Sequence, residues 1–127
     1  MASERNPPEV LDLGVVESMF RLPGPDGQAL ATQIIGMFVR QEPARIAGLR
    51  ALAARRNPED LGRAAHEVAG ACAVIGAREM QMAALALENA ARKQAWTEVH
   101  SRLQEIDAAW IRLQGELRAR RIWPEAG

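Results

Sequence analysis

Between Trp96 and Leu117 one apolar series, Trp96, Val99, Leu103, Ile106, Trp110, Leu113 and Leu117, follows a strict alternation of three- and four-residue steps. That spacing draws one narrow stripe along a helix of about six turns and excludes the two-residue period of a strand. A stripe of this shape is buried by laying it along other helices at a shallow angle. The rest of the chain must therefore supply those partners.

Candidates precede it in order. Asp12 is placed to cap a short helix through Val16, Met19 and Phe20, closed by Leu22-Pro23-Gly24-Pro25. Asp26 stands at the head of the next helix, in which Leu30, Ile34 and Phe38 repeat at four-residue intervals and Ile46, Leu49 and Leu52 continue the series. Pro43 interrupts it, and an interior proline removes a backbone bond at about 3 kcal/mol, so a kink is expected near residues 39–42. A third helix opens with Asn57 as N-cap, Pro58 at N1 and Asp60 at N3, carries a stripe of Leu61, Ala65, Val68, Cys72 and Ile75, and stops at Gly76. A tight reversal at Gly76-Ala77 leads into a fourth, through Met80, Ala84, Leu87 and Ala91. These elements predict an all-α fold, an antiparallel four-helix bundle over residues 10–121 with a short extra N-terminal helix, flanked by tails at 1–9 and 122–127.

Composition narrows the function classes. The 127 residues suit one domain, and sixteen basic residues cancel sixteen acidic ones, which leaves no field suited to nucleic acid or an anionic membrane. The single cysteine, Cys72, lies on an apolar stripe and reads as a core residue. No run approaches the length of a membrane span, and the N-terminus lacks an apolar signal core, so a cytoplasmic monomer is expected. Met1 and the short tails suggest a free-standing protein.

His66 lies almost opposite the apolar stripe of its own helix. Its neighbours on that face are Gly62, Arg63, Ala69, Gly70 and Ala73, nearly bare of side chains. A lone histidine is most often structural, but a core histidine would lie with Val68 and Cys72, and this one does not. Glycine inside a helix costs about 1 kcal/mol against alanine, and two of them, four residues before and after His66, point to clearance beside the ring.

Counting outward from the reversal at Gly76 sets Leu87 and Glu88 level with His66. Leu87 belongs to the core, whereas Glu88 stands on the flank. There its carboxylate is placed to orient the imidazole through one nitrogen and leave the other as a nucleophile. Spacing alone equally admits an i,i+4 pair between Glu88 and Arg92 on a solvated face. His100 has no ligand-type residue three or four positions on, and reads as a boundary residue rather than part of a metal site. No phosphate-binding glycine loop, no paired nucleophile and base and no acidic metal cluster is visible, so neither a metal nor another cofactor is expected.

With these residues assembled, the sequence resembles the histidine phosphotransfer (HPt) domains of multistep two-component relays. His66-x-Val68-x-Gly70, Gly76-Ala77-x-x-Met80 and Leu87-Glu88 are similar to that family's H-x-L-K-G, G-A-x-x-L and L-E signature, over roughly residues 10 to 120. The resemblance implies that His66 accepts a phosphoryl group from a receiver-domain aspartate and passes it to another, on response regulators or hybrid histidine kinases. It implies no enzymatic activity, with the receiver supplying Mg²⁺ and the acidic pocket. It also implies that Glu88 bonds the ring and that Gly70 leaves room for the phosphoryl group. The departure is Ala69, where the family most often has a lysine beside the phosphoryl group. Arg63, on the same face, is the favoured substitute, with Arg92 as the alternative. The docking face is expected around Gly62, Arg63, Glu67, Ala69, Gly70 and Ala73, with exposed positions of the second helix. The competing reading is a helical adaptor that docks on a receiver or kinase without carrying phosphate.

Overall fold

The computed structural model describes residues 8–124, in which five helices follow one another: α1 (Leu13–Phe20), α2 (Gly27–Ala54), α3 (Pro58–Ile75), α4 (Arg78–Arg92) and α5 (Trp96–Ala119). Helices α2 to α5 form the antiparallel four-helix bundle, and α1 lies against α2 and α3. The α3–α4 seam is the most extensive and the α2–α5 seam the loosest of the four. No strand occurs among the described residues. None of the helices is long and apolar enough to cross a membrane.

Local chemistry accounts for the start of α1 and for both ends of α3. Asn57 Oδ1 accepts from the Asp60 amide at 3.1 Å, and Pro58 occupies the first turn of α3, where its missing amide costs nothing. Asp12 caps α1 through the Gly14 and Val15 amides, and its other oxygen accepts from Arg78 Nη2 at 2.7 Å, which ties α1 to α4. The Arg78 hydrogen bond holds the Asp12 carboxyl below the usual carboxylate range. Gly76 ends α3 with φ +79°, the left-handed conformation that favours glycine. Its carbonyl accepts from the Asp12 amide at 2.7 Å, so the reversal also anchors the start of α1. Asp26 stands at the head of α2 but its side chain makes no capping bond.

The α5 stripe is buried at Val99, Leu103, Ile106, Leu113 and Leu117, with Trp96 and Trp110 half-buried at its edges. Helix α2 runs through Pro43 without a break. Its buried face departs from expectation: it is Ala31, Ile35, Phe38, Val39, Ile46 and Leu49, while Leu30 is exposed and Ile34 half-buried on the outer flank. Glu42 also sits in the core with no exposed surface, Oε1 accepting from Arg45 at 3.3 Å and Oε2 without a partner. Burial pushes the Glu42 carboxyl up to about 7 against the opposing pull of Arg45. Burial also pushes the Cys72 thiol up, with Glu42 adding to it, so Cys72 is an inert core residue.

Ile122 and Trp123 fold back on the bundle, Trp123 lying 6.4 Å from Trp110 between ring centroids and under the Arg118 guanidinium at 4.1 Å. An indole that size is more stable against a ring and a cation than in water. Of the tail expected at residues 1–9, positions 1–7 lie outside the described residues, as do 125–127 at the other end.

Candidate functional site

His66 projects from the middle of α3 with 69% of its side chain exposed. Its Nδ1 lies 3.0 Å from Oε1 of Glu88 on α4. The second Glu88 oxygen accepts from Arg92 Nε at 3.1 Å and Nη2 at 2.9 Å. The two readings of Glu88 left open by spacing are therefore compatible, because a carboxylate has an oxygen for each partner. Burial raises the Glu88 carboxyl, but the hydrogen bonds and charges of His66 and Arg92 outweigh it and hold it below the usual carboxylate range. An ionised carboxylate only accepts, which fixes the proton on Nδ1 and leaves the Nε2 lone pair free toward solvent.

The open strip beside the ring is narrower than the sequence suggests. Gly62 and Ala69 are buried, which corrects their placement on the exposed face. At about 100° per residue they lie some 40° and 60° to one side of His66, the side that turns toward α4. Arg92 lies across Gly62, so a Cβ there would meet Arg92 Cγ and Cζ at 3.3 Å. The Gly62 notch thus makes room for Arg92 rather than for a partner. Gly70 is open, with nothing within 4 Å of a Cβ built on it. The exposed arc of α3 takes in Glu59, Ala73, His66, Gly70, Arg63, Val74 and Glu67, running from the ring toward α2.

The two candidate cations part company. Arg63 Nη1 reaches back one turn to Asp60 Oδ1 at 3.2 Å. Arg92 is joined through Glu88 to the ring itself. Of the two, Arg92 is the one that shares a carboxylate with the ring, and Arg63 is paired within its own helix. Spacing showed that Arg92 stood near the level of Gly62, but only the packing of α4 on α3 turns its side chain over that glycine. On the other flank, Met37 and Val74 are exposed beside a shallow apolar groove of about 210 Å³ between α2 and α3, with Gln41 and Arg45 at its edge. Sequence reading missed this groove, since it took Leu30 and Ile34 with the buried series; the signal was Met37, apolar but off the register of Ile35, Phe38 and Ile46.

The described residues thus form a four-helix bundle that presents one oriented imidazole on an open helix face. The family model for the Hpt domain matches residues 33–119, more than half of the chain, and the chain belongs to that family. Hpt domains take part in histidine phosphotransfer within two-component phosphorelays, interact with the receiver domains of response regulators and are phosphocarriers rather than enzymes. Searches among curated proteins and among solved structures gave no match to this chain.

Proposed function

We propose that His66 is the residue that carries the phosphoryl group, exchanging it between aspartates of two receiver domains. The observation that carries this reading is the His66 Nδ1 to Glu88 Oε1 hydrogen bond on an otherwise exposed ring. Nε2 attacks the phosphorus of the receiver's acyl phosphate, a nitrogen–phosphorus bond forms and the aspartate carboxylate leaves with the electrons of the broken oxygen–phosphorus bond. The phosphorylated ring, still protonated at Nδ1, is cationic, and the Glu88 carboxylate stabilises that charge. The reverse sequence passes the group on. Phosphoryl transfer depends mainly on positioning and charge stabilisation, so the receiver's Mg²⁺ and acidic pocket complete the site and the carrier needs only an accessible, aligned ring.

Arg92 takes the place of the lysine absent at Ala69. Its guanidinium is held by two hydrogen bonds to Glu88, the carboxylate that accepts from His66 Nδ1, and that link to the ring supports the reading. The receiver docks on the exposed arc of α3, Arg63, Glu67, Gly70 and Ala73 included, and on the outer face of α2 at Leu30, Met37 and the adjoining groove. A small apolar patch suits a partner that must leave after transfer.

The test is transfer from receiver domains charged with acetyl phosphate. Wild type and His100→Gln should acquire an acid-labile phosphoryl group, and His66→Gln should not. Arg92→Ala should shorten the lifetime of the phosphohistidine more than Arg63→Ala does. A wild-type chain that binds a charged receiver yet never becomes labelled would overturn the reading in favour of a phosphate-free adaptor.

A further inference from the structure

The loosest seam of the bundle holds a second site. Between the last turns of α2 and the first turns of α5 lies a cleft of about 700 Å³, far larger than the apolar groove between α2 and α3 and within the size range of small-molecule pockets. We propose that it binds a small anionic molecule with a planar apolar body, a ring system bearing a carboxylate or a phosphate. None of its lining residues belongs to the His66 site, and the proposal stands independently of the phosphocarrier reading.

The lining divides in two. Ala53, Val99, Leu103 and the half-buried Trp96 indole form an apolar floor, and the alanines of α2 keep it open where larger residues would close the seam. Arg50, Arg56 and His100 provide cationic or hydrogen-bonding groups at the rim. Arg50 is already paired with Asp107 across the mouth, which links the two helices and offsets both charges. Arg56 pairs with no carboxylate among the described residues and lies over the Trp96 ring at 5.8 Å from its centroid. The uncompensated charge in the cleft is therefore positive, and it stands directly beside an aromatic face. A ring packed on Trp96 with its anion at Arg56 and His100 satisfies both halves at once. An uncharged ring leaves the guanidinium unmatched, and a bare anion leaves the apolar floor wet.

The full chain is titrated by two-dimensional NMR with 1-naphthoate and with adenosine monophosphate, two anions that separate a carboxylate from a phosphate source. Naphthol without the charge and inorganic phosphate without the ring serve as controls. At least one anionic ring compound should give saturable shifts centred on the Trp96 indole N–H and residues 96–104. Its affinity should exceed either control by about tenfold, the usual worth of one charge-assisted contact. Arg56→Gln and His100→Gln, both exposed and outside the phosphotransfer site, should each weaken it severalfold while leaving the melting temperature unchanged. Absence of saturation with both compounds, affinity unchanged in both variants, or shifts centred on His66 would each overturn the proposal.

Discussion

Gly62 and Arg92 share one space: the guanidinium stem of Arg92 fills the notch that the missing side chain of Gly62 leaves on α3, at 3.3 Å from where a Cβ would stand. Gly62→Ala should gain up to about 1 kcal/mol of helix propensity, since Arg92 is flexible and half-exposed and gives way by a few tenths of an ångström. The displaced guanidinium should then support Glu88 less well, and the phosphohistidine should decay faster. Gly70→Ala gives the contrast, because its Cβ meets nothing: the same stabilisation is expected, with the lifetime unchanged and receiver docking weakened. Thermal melts together with decay rates of the phosphoprotein check both; equal lifetimes in Gly62→Ala and wild type would remove Arg92 from the site.

Glu88 holds the ring by position and by charge, and two substitutions separate these. Glu88→Gln keeps an oxygen for Nδ1–H and loses the charge, whereas Glu88→Ala frees the ring to rotate. Phosphorylation of Glu88→Ala should fall by about tenfold or more, as expected for a misaligned nucleophile. Glu88→Gln should fall between it and wild type. Stability should change by no more than about 1–2 kcal/mol in either, since His66 and Arg92 are exposed while Glu88 itself is half-buried. Rates equal to wild type in both variants would leave Glu88 a surface ion pair.

The reversal at Gly76 should tolerate no side chain. A Cβ would stand 2.9 Å from the Asp12 carbonyl oxygen and 3.0 Å from Val15 Cβ, at a φ of +79°. Strain of about 1–2 kcal/mol from the left-handed backbone adds to the overlap, so Gly76→Ala should lose roughly 2–4 kcal/mol in denaturant titration. A loss below about 1 kcal/mol would mean that α1 moves away at no cost.

Glu42 gives the fold a pH dependence of definite sign. Its carboxyl is raised in the folded chain to about 7 from an ordinary 4.5, so folding favours the protonated form. Below about 4.5 both states are protonated and the group costs nothing; as pH rises to about 7 the unfolded chain loses its proton first and stability falls. The penalty is complete above about 7 and amounts to roughly 3–4 kcal/mol at about 1.4 kcal/mol per unit. Glu42→Gln should flatten that part of the stability curve and be the more stable protein at alkaline pH. Parallel curves for variant and wild type would show that the buried carboxyl does not titrate there.

Much of this molecule is determined by the sequence alone. Helix periods, the Asn57 and Asp12 caps, the glycine stop at Gly76 and the place of His66 opposite its own apolar stripe are local facts, set by repeat lengths and by side chains that reach a few residues along the chain. Glu88 was legible too, because a tight hairpin fixes the register of the helix that follows it. What one helix does to the next was not. Repeat spacing orients a residue about its own axis but leaves open how the neighbour is rotated and what long side chains cross the seam. Only the packed bundle covers Gly62 with Arg92, buries Ala69 and turns Leu30 outward. Only there does Glu42 become a core residue and the α2–α5 seam a cleft, since burial and cavities arise where several elements meet and no single one of them carries the information.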